Sequence, residues 1–363
     1  MKVLHIETGR QLAGGPLQVI TLMKGMRENG QESMLLCPQD SAIARVAKQA
    51  ELPVTTVAYQ GEHDVSLVRA IRRTARSEGV EILHAHSRRG ADLYTAFVAR
   101  RTRIPAILTR RVINMENALI GGIKYRSYQR VVAVSEAVER SLKRQRVDAS
   151  LRTVIHDGVD FSDFDKPYPR QKYLEEFGLP ENAVIAANVG RFTENKSQLS
   201  VLQAFTLIYE ALPRLHLVLF GSGEMQDDLE DFVIANKLEG RVHFAGFRND
   251  MPNWYAAMDM LVHTASLEAL SVSLLEASAN AVPMIAYNNG GIYEIIRHTF
   301  NGLLVQPRAV DQLAHAIERL YRKPDMRKKM GATAKDYCEK FFTAEQMVSK
   351  YQELYTQVLS ELE

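Results

Sequence analysis

Glu268 and Glu276 stand eight positions apart in the stretch Thr264-Ala-Ser-Leu-Glu-Ala-Leu-Ser-Val-Ser-Leu-Leu-Glu-Ala-Ser-Ala-Asn280. The apolar run Asp259–His263 ahead of them reads as a buried strand. Ser271–Asn280 reads as a helix, with Ser271 at the N-cap and Leu274, Leu275 and Ser278 at helical spacing. Glu268 then falls in the strand-to-helix loop and Glu276 on the second helical turn. Between them lie the N–H groups of the helix start, at Ser271, Val272 and Ser273. Free amides at a helix start favour anions, and carboxylates accept directional hydrogen bonds from hydroxyls. Such a stretch can hold a phosphate at one end and sugar hydroxyls along the rest.

A second charged element, Gly190-Arg-Phe-Thr-Glu-Asn-Lys196, directly follows a predicted strand. A lysine is unfavourable beside the positive end of a helix dipole. Lys196, at the start of a predicted helix Ser197–Ile208, therefore asks for an anion nearby. Arg191 supplies a planar fork and Lys196 a point charge, enough to cover two phosphoryl groups. Gln11-Leu-Ala-Gly-Gly-Pro16 closes the first predicted strand, with Pro16 suited to the first helical position. Gly221-Ser-Gly-Glu-Met-Gln226 has a glutamine where a dinucleotide fingerprint needs its third glycine, which argues against a nicotinamide cofactor.

In the first half, His84-Ala-His-Ser-Arg-Arg-Gly90 ends one predicted strand and Ala106-Ile-Leu-Thr-Arg-Arg111 ends the next. His84 and His86 share a strand face, but no Cys or acidic residue stands at ligand spacing, so the expectation is no metal. Ser87, Arg88, Arg89, Arg110 and Arg111 are the acceptor-side candidates. Asn117-Ala-Leu-Ile-Gly-Gly-Ile-Lys-Tyr-Arg-Ser-Tyr-Gln-Arg130 fits either an interfacial element or a helix packed beneath a strand.

These residues need elements to position them. Lys2–Ile6, Ser33–Cys37, Val54–Val57, Ile82–His86, Ala106–Thr109 and Val131–Ser135 read as strands, with helical patterns between them. The alternation restarts after Asp157-Gly-Val-Asp-Phe161 and Pro167-Tyr-Pro169. Its second set is Ala183–Val189, Leu215–Phe220, Val242–Phe244, Met260–His263, Pro283–Ala286 and Leu303–Val305. Repeated βαβ units imply parallel sheets, and hence an α/β chain of two Rossmann-like domains with ligands at the strands' carboxyl ends. From Ala309 the chain reads as helical, with breaks near Pro324 and Phe342-Thr343.

The two glutamates, Gly190–Lys196, Asn288-Asn-Gly-Gly-Ile-Tyr-Glu294 and Asn301-Gly-Leu-Leu-Val305 together resemble the donor-site blocks of the retaining family 4 glycosyltransferases of GT-B fold. Many members carry Gly and Pro after the first glutamate, where this chain has Ala269-Leu-Ser271. The resemblance implies two domains facing a central cleft. These are residues 1–165 on the acceptor side, 166–343 on the nucleotide-sugar side, and a last helix, 344–363, crossing back to the first. It implies Arg191 and Lys196 on the donor diphosphate, Glu268 on sugar hydroxyls, and Glu276 on the ribose. Gly14, Gly15 and Gly221 would line the donor pocket, with Phe247 and Arg248 near the base. Many members have a histidine where Arg111 stands, near the reacting sugar, so a phosphate- or carboxylate-bearing acceptor is expected here.

The chain has 363 residues and 46% hydrophobic content, enough for two cores. Cys37 and Cys338 are far apart, which fits a reducing compartment without disulfides. No apolar run approaches the ~20 residues needed to span a bilayer, so a cytoplasmic protein is expected. Residues 1–165 carry 25 Lys and Arg against 18 Asp and Glu, and the remainder 20 against 25. The basic first half favours an anionic partner such as a membrane surface over nucleic acid, since no basic–aromatic stripe is present. The expectation is a metal-independent hexosyltransferase using a nucleotide-diphosphate sugar and no cofactor. Its acceptor would be a saccharide or lipid-linked group in lipopolysaccharide or surface polysaccharide synthesis, reached at the inner face of the plasma membrane. A GT-B nucleotide-sugar epimerase and a catalytically silent carbohydrate-binding protein stay open as alternatives.

Overall fold

The computed structural model describes residues 1–88, 90–116, 118–164 and 170–362, without the side chains of 118–120. Arg89 and the Pro167-Tyr-Pro169 segment lie outside the described residues. The chain divides into two compact units, Met1–Gly158 with Ala344–Glu363, and Val159–Thr343.

Among the described residues the first unit holds seven strands: β1 (Lys2–Ile6), β2 (Glu32–Pro38), β3 (Val54–Val57), β4 (Ile82–Ala85), β5 (Ala106–Arg110), β6 (Arg130–Ala133) and β7 (Arg152–Val154). They pair in parallel in the order β3-β2-β1-β4-β5-β6-β7. After β3 the chain crosses back to lay β4 beside β1, so the switch point lies at the carboxyl ends of β1 and β4. Apolar residues fill the central strands because helices cover both faces of a parallel sheet. One such cover is the last helix, Ala344–Ser360, whose Tyr351, Leu354, Tyr355 and Val358 pack in one core with Val3, Ile107 and Val132. Gly25, in the helix Gly14–Glu28, gives that helix its closest approach, since a Cβ there would meet the Val348 side chain.

The second unit repeats the plan with β8 (Val184–Val189), β9 (Leu215–Phe220), β10 (Val242–Gly246), β11 (Met260–His263), β12 (Met284–Tyr287) and β13 (Gly302–Val305). The order is β10-β9-β8-β11-β12-β13, which puts the switch point between β8 and β11. Open α/β sheets bind ligands outside the carboxyl ends of strands at such points.

Of the thirteen strands among the described residues, twelve match the alternation expected from the sequence, most within two residues. The exception, β7, is three partly exposed residues, Arg152-Thr-Val154, too short and polar to announce itself. Pro16 sits at the third position of its helix rather than the first, because the helix already begins at Gly14. Of the two readings of the Asn117–Arg130 segment, the described residues support the packed helix: Lys124, Tyr125 and Tyr128 are all buried. Among the described residues no helix is long and apolar enough to cross a membrane.

Candidate active site

In the second unit, the loops after β8 and β11 are tied together by backbone and side-chain bonds. Ser266 N–H donates to the Asn195 carbonyl at 2.8 Å, and Asn195 Nδ2 donates to the Leu267 carbonyl at 3.1 Å. The Thr264 hydroxyl lies 3.0 Å from the Lys196 carbonyl and 3.1 Å from that of Ser197. Ser197 adopts the left-handed φ of +51°, which turns the chain from the Glu194–Lys196 turn into the helix Gln198–Thr206. This strapping brings the ammonium of Lys196 onto the carboxylate of Glu268, 72 residues away. His263, the last residue of β11, places Nε2 3.3 Å from the same carboxylate oxygen.

Burial alone would raise the Glu268 carboxyl. Lys196 and then His263 outweigh it and hold the group down at about 2. Burial lowers His263, so this imidazole is neutral at pH 7. Sequence reasoning placed His263 only as a strand end and did not single it out. From sequence Asn289 reads only as part of a glycine-rich run. Its Oδ1 accepts from the Glu268 N–H at 3.1 Å, while Gly291 N–H donates to the Glu268 carbonyl at 3.0 Å. The Asn288-Asn-Gly-Gly291 run therefore fixes the loop that carries Glu268.

Glu276 lies on the helix Val272–Ala279 and takes a hydrogen bond from the buried Tyr255 hydroxyl at 3.0 Å. Burial pushes its carboxyl up to about 7, well above an ordinary glutamate. Ser271 occupies the N-cap, yet its hydroxyl turns to that of Ser273, 3.0 Å away, and caps no backbone amide. The first-turn N–H groups near Val272 are thus left without a side-chain acceptor from the cap. The loop and helix after β11 carry an ionised carboxylate, uncapped amides and a second carboxylate poised near neutrality, and the loop after β8 adds the cation Lys196.

The remaining donor-side candidates separate. Arg191 is exposed and its guanidinium has no partner among the described residues. Gly221 and Gly223 have a backbone reason to be glycine: a Cβ at either would collide with the chain at Gly190 or Phe192. Phe247 is 57% exposed. Arg248 is anchored: it pairs with Glu176, donates to the Ala245 carbonyl at 2.9 Å, and lies over the Trp254 ring.

In the first unit the β1/β4 switch point carries a buried polar network. His84 places Nδ1 2.7 Å from the Tyr355 hydroxyl and Nε2 2.7 Å from the Thr109 hydroxyl. His5 Nδ1 and His86 Nε2 are 2.9 Å apart, and Arg111 reaches His86 Nδ1 at 3.3 Å. His5 thus joins the two histidines singled out from sequence, and ring nitrogens of all three lie within 4.8 Å of one another. The donor set fits a hydrogen-bonded cluster better than a cation: both His84 nitrogens are engaged by hydroxyls and a guanidinium adjoins His86. Burial, with Arg111 adding to it, holds His5 down at about 3 and lowers His84 and His86 as well, so all three are neutral at pH 7.

Arg110 and Arg111 do not form a free cationic pair. Arg110 is 2% exposed and committed to Glu116 and the Asn114 carbonyl. Arg111 is mostly buried and paired with Asp157 at 3.1 Å. Gly15 sits beside it, where a Cβ would come 3.4 Å from Arg111 Cδ, and Gly14 precedes it in the first turn of the same helix. Ser87 accepts from the Thr8 N–H at 2.9 Å, and Arg88 is part-exposed, 3.4 Å from Glu116.

Two family models account for most of this chain: Glycosyltransferase Family 4 over residues 13–163 and Glycosyl transferases group 1 over residues 169–337. The chain belongs to the family 4, group 1 glycosyltransferases, and its two parallel-sheet units are those of the GT-B fold. An Anabaena protein, Alr3699/HepE, crystallised with UDP-glucose, matches with a TM-score of 0.89 and 22% identity, covering 98% of this chain and 100% of that one. The UDP-Gal:alpha-D-GlcNAc-diphosphoundecaprenol alpha-1,3-galactosyltransferase of Escherichia coli is 24% identical over 71% of this chain and 70% of its own. The lipopolysaccharide core biosynthesis glycosyltransferase LpsE of Rhizobium meliloti is 29% identical over 48% of this chain. Against LpsE the chain spans only 50% of the relative's length.

Proposed function

We propose that this protein is a retaining, metal-independent glycosyltransferase. It would move a hexose-type sugar from a uridine diphosphate donor to a saccharide or lipid-linked acceptor in surface polysaccharide or lipopolysaccharide synthesis. The observation that carries the reading is the Lys196–Glu268 pair held at the β8/β11 switch point, beside the uncapped start of the Glu276 helix. The UDP-sugar named for the Escherichia coli relative and the UDP-glucose bound to HepE support the donor. The diphosphoundecaprenol in the relative's name supports a lipid-linked acceptor, met at the cytoplasmic face of a membrane.

In this reading the bond between the anomeric carbon and the diphosphate breaks while the acceptor oxygen bonds to the same face of that carbon. The acceptor proton passes to the departing phosphate oxygen. Arg191 and Lys196 stabilise the charge that develops there, a stabilisation greatest in the transition state. Glu268 accepts from sugar hydroxyls and Glu276 from the ribose. With fixed cations on the diphosphate, no metal is required. UDP should raise the melting temperature more than GDP or ADP, since a ligand at 100 Kd adds ~2.7 kcal/mol. Transfer should survive excess EDTA and yield a product of unchanged anomeric configuration by NMR. Loss of activity that Mn²⁺ or Mg²⁺ restores would remove the Arg191/Lys196 assignment.

Glu276 gives the donor site its own pH signature. A ribose hydroxyl needs the ionised carboxylate as acceptor, and this group titrates near 7. Donor affinity should therefore be full above pH 8 and fall by up to about tenfold per pH unit below 7. Calorimetric titration of UDP between pH 5.5 and 8.5 reads this directly, and Glu276→Gln should flatten the profile at weakened affinity.

A further inference from the structure

The helices Ser66–Ser77 and Ala91–Thr102 of the first unit pack side by side and leave an open groove of about 1270 Å³ between them. One wall is Arg69, Arg72, Arg73 and Arg76, spaced to share one helix face. All four are exposed, and none has an ion-pair partner among the described residues. The opposite wall carries Leu93 and Phe97, 46% and 48% exposed, and Val65, 70% exposed, stands at the mouth. Arg101 lies over the Phe97 ring. Among the described residues the one acidic group lining the groove, Asp64, accepts from the Gln60 and Ser66 amides.

Four like charges on one helix face repel each other, and exposed apolar side chains beside them gain nothing from water. Both features are relieved by one kind of partner. We propose that this groove is the face by which the protein docks on a bilayer containing anionic lipid. The arginine forks would engage lipid phosphates while Leu93, Phe97 and Val65 enter the interface. A soluble polyanion would satisfy the arginines and leave the apolar wall in water. Of the arginine pairs expected from sequence to meet an anionic surface, Arg88/Arg89 and Arg110/Arg111, Arg110 is buried on Glu116 and Arg111 is mostly buried on Asp157, while Arg88 is exposed beside Glu116 and Arg89 lies outside the described residues. This inference stands apart from donor and acceptor chemistry, because vesicle binding is read without either substrate.

The test is co-sedimentation of the full chain with phosphatidylcholine vesicles, with and without 30 mol% phosphatidylglycerol. Binding should need the anionic lipid and weaken as salt rises. A basic residue near an anionic surface contributes roughly fivefold, so changing all four arginines to glutamine should lower partitioning by on the order of several hundredfold. Leu93→Ser with Phe97→Ser should also lower it. Phe97→Trp should blue-shift on adding anionic vesicles, against the buried Trp254, the sole native tryptophan. All these positions are exposed, and unchanged melting temperatures should confirm folding. Equal binding to neutral vesicles, no binding at all, or full binding by the four-glutamine variant would overturn the proposal. So would an unshifted Phe97→Trp with tight binding of soluble polyphosphate, which would make the groove a polyanion site.

Discussion

Lys196→Ala should lower kcat by on the order of 10²–10³, with a smaller change in donor KM, measured at saturating acceptor. Uniform binding loss moves KM alone, whereas a contact that strengthens as the diphosphate departs moves kcat. Lys196 is held by Glu268 through an ion pair of the protein's own. Its position is thus set before the donor arrives, and little ordering is left to be done at the moment of reaction. The substitution also leaves a carboxylate that is only 15% exposed without its cation. A loss of stability of about 1–3 kcal/mol should accompany the kinetic effect, less than for a fully buried pair because both groups keep some solvent. Melting temperature and kcat therefore have to be measured on the same variant. A folded Lys196→Ala with near-normal kcat would move the protein toward a binding or epimerase role.

Much of this architecture is legible along the chain because it is written in local patterns. Apolar runs bounded by turn residues set twelve strands, and the break at Phe342-Thr343 marks where the last helix begins. The donor-side loops are legible for the same reason, since the groups concerned sit just after strands or at a helix start. What is not legible depends on partners distant in sequence. Arg111 reads as an anion-binding cation until Asp157, 46 residues on, is seen against it. Lys124 and two tyrosines look interfacial until Asp92 and Glu116 are found on the lysine. Arg248 reads as a base contact, yet Glu176 and Trp254 claim it from 72 and 6 positions away. His263 and Asn289 were passed over because a lone histidine at a strand end and an asparagine in a glycine turn are common. Only the fold shows both converging on Glu268.

Glu268→Gln should cost at least about 10² in kcat, for reasons the two carboxylates separate. The amide keeps the shape of the side chain but weakens hydrogen bonds from sugar hydroxyls as positive charge builds at the anomeric carbon. It also releases Lys196 from its anchor, so the effects of Lys196→Ala and Glu268→Gln should fall well short of additive. The pH dependence assigns the roles. The folded-state value of Glu268 is lowered to about 2, so its stabilisation is fully present above pH 4.5 and is lost only as pH falls toward 2. It cannot produce an activity limb near neutrality. Glu276 is raised to about 7, so the folded protein binds its proton more tightly than the unfolded chain and loses stability as pH rises from 4.5 to 7. The donor must supply the hydrogen bonds that offset that cost. In kcat/KM profiles for donor between pH 5 and 9, the acid limb near 7 should persist in Glu268→Gln at a much lower plateau. It should disappear in Glu276→Gln, with kcat close to that of the parent enzyme at saturating donor. If instead Glu276→Gln abolishes kcat and Glu268→Gln merely raises KM, the two glutamates have exchanged roles, and the reacting sugar lies over the helix rather than the loop.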